Sequence, residues 1–183
     1  MIPLTTLWLP ILLSAVFVFI ASNILHMLIP GWHHGDYGKL PDEGAVLNGL
    51  RSARSGQYIA PHLDWGKMSK EERDTMMKGP MAFIMMRNPA EFSMPGALVS
   101  WLVFDIILSI LIAYVGAATL PRGTDYLEVF RVIGTAGILA YAFGSVSEAI
   151  WYGKPWSSTT KDIIDGIIYG LLTAGTFGWL WPR

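Results

Sequence analysis

The chain has 183 residues, of which 52% are hydrophobic and 15% charged, with a formal net charge of −1 and a mean hydropathy of +0.43. A soluble domain carries about 25% charge; charge this sparse, gathered between long apolar runs, predicts an integral membrane protein and argues against nucleic-acid binding. There are no cysteines, which excludes disulfides, thiolate metal sites, cysteine-ligated iron–sulfur clusters and thiol catalysis.

The first predicted span covers residues 4–29. Its N-terminal tail lacks the Lys or Arg of a signal peptide and its apolar run is too long for one, so it reads as a permanent helix. Ser14, Ser22 and His26 fall on one helical line with Asn23 beside it, and Pro30-Gly31 ends the run. Residues 30–93 form the one large polar segment, read as an extramembrane cap, part helical and part irregular, within a single membrane domain of residues 1–183. Short helices are predicted after Asp42 and after Ser69, where Ser69-Lys70-Glu71-Glu72 matches a capping box. The piece Met81–Met86 is too short to span and is expected to lie at the interface or beneath the bundle.

The second span is predicted over 94–120, capped by Ser93, with Asp105, Ser109, Ala113 and Ala117 on one line. The third covers 126–152, with Ala136, Ala140, Gly144 and Glu148 aligned. The fourth covers 162–181, with Ser157–Thr160 as its cap and Asp162 and Asp165 in its first turn. Gly166, Gly170, Ala174 and Gly178 recur at every fourth position, a flat strip on which a second helix backbone can pack. The expected fold is an all-α four-transmembrane-helix bundle with the cap between helices 1 and 2.

Tryptophans 8, 32, 101, 151, 179 and 181 lie near the ends of apolar runs, where amphipathic rings favour the headgroup layer. Segments 30–93 and 153–161 hold eight and two basic residues, against Arg122, Arg131 and Arg183 opposite. The positive-inside rule then puts residues 30–93 in the cytoplasm and both termini outside. The stretch His26…Pro30…His33-His34-Gly35-Asp36-Tyr37, together with Lys154-Pro155-Trp156-Ser157, Asp162, Asp165, Gly166 and Thr173–Trp179, resembles a family of small four-span bacterial inner-membrane proteins with no assigned activity. The resemblance implies a bacterial inner membrane and carries over no catalytic residue.

Ionisable groups inside a membrane need a partner or a purpose. A layer near the cytoplasmic face is expected to collect His26, Glu148, Asp162 and Asp165, with His33, His34 and Asp36 close by and Asp105 deeper. Imidazoles and carboxylates projecting inward from a bundle can hold a transition metal ion, and His26, His33, His34, Asp36, Glu148 and Asp165 are the candidate ligands. No Glu-x-x-His pair and no HExxH motif supports them. Plainer roles also fit: Asp162 and Asp165 as helix caps, Glu148 paired with Lys154 or Lys161, His26 and Asn23 bonding between helices, Asp105 protonated against a neighbouring helix. With no complete catalytic constellation, the leading expectation is an accessory or self-associating subunit of a membrane assembly, whose partners are the lipid bilayer and copies of itself or other subunits. The rivals are a metal-binding membrane protein or metal-dependent enzyme, and a proton or ion conductor using Asp105 and Glu148.

Overall fold

The computed structural model describes residues 2–183. Four helices are long and apolar enough to cross a bilayer: Leu4–Leu28, Met94–Thr119, Tyr126–Tyr152 and Trp156–Leu180. The protein is an all-α, multi-pass membrane protein with one small two-stranded sheet. Its described residues divide into two compact units, one made of the chain up to Gly38 with Ala97–Arg183, the other of Lys39–Gly96.

In the first unit, the opening span begins as a 3-10 turn (Leu4–Leu7), continues as α1 (Trp8–Asn23) and ends in a π turn (Ile24–Leu28). The second span is α4 (Met94–Thr119) and the fourth is α7 (Trp156–Leu180). The third is broken at Phe143 into α5 (Tyr126–Ala142) and α6 (Gly144–Tyr152). Sharp breaks favour Gly/Ser pairs, and Gly144-Ser145 stands at this one.

The spans pack as a ring of antiparallel neighbours. α1 meets α4 through polar groups: the Ser14 hydroxyl donates to Ile11 O, leaving its oxygen 2.7 Å from Ser109 Oγ, and Trp101 Nε1 donates to Ser22 Oγ at 2.8 Å. Such bonds suit an apolar solvent, because the unmade alternative is a polar group in hydrocarbon. α4 meets α5 at Gly116, where a Cβ would come within 2.6 Å of Ile133 Cδ1. α5 meets α7 along glycine, and α7 closes the ring on α1. A Cβ on Gly166 would lie 2.4 Å from Ala142 Cα, and one on Gly170 would lie 2.7 Å from Ile138 N. Ala174 lies under Gly134, and Gly178 lies under the Tyr126 ring. The four-residue strip on α7 therefore faces the chain's own third span. The core at the far end gathers Leu7, Ile112, Val129, Ile133, Phe177 and Trp181.

Four sequence expectations change. The fourth helix starts at Trp156, not near 162, with Pro155 at its N-cap position. The Thr159 and Thr160 hydroxyls bond back to the Pro155 and Trp156 carbonyls, as in a helix interior, so Ser157–Thr160 lie within the helix and do not cap it. Asp162 and Asp165 thus stand in its second and third turns, where no free N–H groups remain for a carboxylate to cap. Of the line Ala136, Ala140, Gly144 and Glu148, Ala136 packs on the core and the rest are exposed; the contact face of the third span carries Gly134, Gly137, Tyr141 and Ala142. The aligned residues of α4 do turn inward, with Asp105, Ser109, Ala113 and Ala117 all buried.

In the second unit, α2 (Glu43–Leu50) is capped by Asp42, which accepts from Ala45 N. α3 (Lys70–Met76) opens on the Ser69–Glu72 capping box. Within residues 81–86, β2 (Ala82–Met86) pairs antiparallel with β1 (Gly56–Ala60) in the register Gly56↔Met86 to Ala60↔Ala82. The partner Gly-Gln-Tyr-Ile-Ala supplies the missing hydrogen bonds.

Candidate functional site

The first unit carries a connected polar cluster built from the π turn, the loop after it and α7. The π turn places His26 with Nδ1 3.1 Å from Ser22 O. A carbonyl only accepts, so Nδ1 carries the proton and Nε2 is left with its lone pair. Pro30-Gly31 then reverses the chain, with Gly31 at φ +81°, a conformation glycine adopts without strain. The reversal brings Trp32 and His33 against α7. His33 stacks on His26, ring centroids 4.2 Å apart and planes 14° from parallel.

His33 lies between two carboxylates. Its Nε2 is 2.8 Å from Asp165 Oδ2 and its Nδ1 is 2.7 Å from Asp36 Oδ2. Asp165 is only 2% exposed, and its other oxygen accepts from Trp32 Nε1 at 2.8 Å. Asp36 completes the chain through Lys161 Nζ at 2.6 Å. Burial opposes a charge on His33, but the hydrogen bonds to Asp165 and Asp36 outweigh it, and the imidazole pKa rises above its ordinary value. The Lys161 ammonium and the His33 ring hold the Asp36 carboxyl down at about 2. The Asp36–His33–Asp165 row is thus a stable charged wire with Lys161 at its outer end.

A second pairing lies beside it. Lys154 Nζ is 2.7 Å from Asp162 Oδ2 and 3.1 Å from Glu148 Oε2. Burial works against the Lys154 charge, yet its bonds to Asp162 and Glu148 raise its pKa overall. Glu148 is therefore an ion-pair partner, half exposed, and stands outside the histidine cluster. His34 is exposed and also outside it. Asn23 bonds Phe19 O on its own helix, as His26 bonds Ser22 O, so neither makes the helix-to-helix bond expected of them.

Three ligand-type side chains converge: His26, His33 and Asp165 each offer an atom within 4.8 Å of the others. Each is already oriented by an outer group: Ser22 O on His26 Nδ1, Asp36 on His33 Nδ1, Trp32 on Asp165. Outer partners of this kind fix the tautomer and aim of metal-ligating imidazoles. Two imidazoles and one carboxylate form a donor set suited to divalent zinc or iron, with coordination positions left open. An ion held by both Nε2 atoms would displace the proton that His33 Nε2 now donates to Asp165 and draw the two rings out of their present stack.

Trp32 and Lys161 were not singled out from the sequence as site residues. Trp32 was read as a headgroup residue and Lys161 as a partner for Glu148. Their roles depend on a chain reversal and a π turn that no local pattern announces. No protein-family model, curated protein or solved structure matches this chain.

Proposed function

We propose that this is a metal-binding bacterial inner-membrane protein, with His26, His33 and Asp165 holding one divalent first-row transition ion at one mouth of the bundle. The supporting observation is the convergence of the three residues with each ligand already oriented from behind. Asp36, itself held by Lys161, is the positioning residue behind His33. His26 is exposed, which gives an ion a route from the aqueous side. The excess of Lys and Arg in 30–93 and 153–161 supports a cytoplasmic side for this mouth, with both termini outside. The chemistry open to such a centre is Lewis-acid activation of water or of a carbonyl, or redox chemistry if the ion is iron.

The test is cobalt(II) titration of the full-length protein in detergent, read by visible absorption, together with metal analysis of protein as purified. The expected result is one equivalent bound, lost by about a hundredfold or more in affinity in His33→Ala, and weakened about tenfold in Asp36→Asn, which leaves the three ligands in place. Failure of cobalt to bind, in protein whose helical circular dichroism is intact, overturns the reading. A large native complex without metal would instead favour an accessory subunit or self-association.

A further inference from the structure

A second polar centre lies deeper, on helices that the histidine cluster mostly does not use. Asp105 is 0% exposed, and neither carboxylate oxygen has a hydrogen-bond partner. The Tyr141 and Tyr169 hydroxyls and Ser145 Oγ are buried in the same condition. Asp162 Oδ2 also lacks a hydrogen bond, but the Lys154 ammonium 2.7 Å away answers it. The others have no such answer among the described residues.

These groups share one region. The Tyr141 and Tyr169 rings meet edge to face with centroids 5.7 Å apart. Gly116 packs on Ile133, and Asp105 lies three turns before Gly116 on the same buried face of α4, level with the break near residue 144 of the antiparallel third span. Ser145 follows Tyr141 by four residues, just past the break at Phe143. A helix that stops leaves carbonyls without intrahelical donors, and α5 stops here, inside the span. In secondary transporters, carbonyls freed at broken helices coordinate small cations near the bilayer midplane.

We infer that Asp105, Tyr141, Ser145 and Tyr169 form an intramembrane site for an alkali-metal cation at the break in the third span. The donor set selects the class. All five unpartnered atoms are oxygens, hard donors that suit hard cations and offer nothing to a soft one. A single carboxylate with no basic residue bonded to it balances one positive charge, so a monovalent ion leaves the site neutral in a low-dielectric surround. Water beside a protonated Asp105 would meet the hydrogen bonds without needing an ion; that is the opposing account. The site stands independently of the histidine centre: it shares no residue with it and needs no imidazole.

The experiment compares thermal unfolding of the full chain in detergent, with EDTA throughout, in sodium, potassium, lithium or choline chloride at equal ionic strength. Chelation keeps the outcome separate from that of the transition-metal test. One alkali cation is expected to raise the midpoint saturably over choline, by about 4 °C at ten times its dissociation constant. Asp105→Asn abolishes the difference between salts, and Tyr169→Phe, which keeps shape and charge, shifts its half-saturation to higher cation concentration. Equal midpoints in all four salts overturn the proposal. So does a salt dependence unchanged in Asp105→Asn or, should that variant not fold, in Tyr169→Phe.

Discussion

In the unit built from the four spans, shape depends on residues far apart in sequence. Gly166 touches Ala142, Ser14 touches Ser109, and Asp165 is bonded by residues more than a hundred positions away. In the Lys39–Gly96 unit, none of the residues is buried. Its order rests largely on near neighbours: Asp42 on Ala45, Ser69 on Glu72, Thr75 on Glu71, and one short antiparallel ladder. The contrast follows from solvent. Lipid tails give apolar helices no reason to leave them, so close backbone packing and interhelical hydrogen bonds hold the spans together. A water-exposed segment without a buried core must take its order from caps, turns and strand pairing. The two regions should therefore respond to mutation in opposite ways: steeply to added volume in one, locally and weakly to lost caps in the other.

The largest effect is expected where two backbones are closest. Gly166→Ala places a methyl 2.4 Å from Ala142 Cα and 2.6 Å from its nitrogen, so α5 and α7 must separate. A loss of about 3 kcal/mol is expected, near 10 °C in the unfolding midpoint. Gly175→Ala on the same helix is the control. Its methyl meets only the Tyr126 hydroxyl at 3.7 Å, an ordinary contact, and the midpoint should hold or rise slightly. Equal responses at the two positions would mean that glycine packing does not hold the bundle.

That pair of glycines also marks how far the sequence could be read. Four spans, the α7 strip, the inward line of α4, the Asp42 and Ser69 caps and the Glu148–Lys154 pairing were all legible, because each rests on spacing within one element or on neighbouring elements. His26, His33 and Asp165 were legible as candidates from their chemistry and from the layer in which the spans place them. Their meeting was not derivable, since it requires α7 to begin at Trp156 and the chain to double back at Gly31. The start of α7 was misjudged because four hydroxyl residues resemble a cap, yet they serve equally well inside a helix by bonding the carbonyl one turn back. The break at Phe143 was passed over because Gly144-Ser145 lies within an otherwise helical apolar run. Tyr141 and Tyr169 carry no signal in the sequence; their unpartnered hydroxyls set them apart.

On the water-exposed side, Ser69→Ala removes both halves of the α3 capping box, since Glu72 loses the geometry that returns its carboxylate to Ser69 N. The expected cost is about 1 kcal/mol, confined to the first turn of α3. Hydrogen exchange of amides 70–73 should accelerate about fivefold, while amides of α5 and α7 keep their protection. Acceleration that reached α7 would show that the two units unfold together, and the contrast between them would fail.

The smallest effect should come from Gly49→Ala in α2. No atom lies within 4 Å of the added methyl, so the change acts on backbone freedom alone. Alanine is favoured over glycine by about 1 kcal/mol in a helix interior, and less in a last turn such as this one. The amides of α2 should exchange up to about threefold more slowly, with no change in the unfolding midpoint of the spans. The same replacement, glycine to alanine, would thus tighten one helix and force another from its neighbour. The difference lies in what stands 2.4 Å from one Cβ and in the open space around the other.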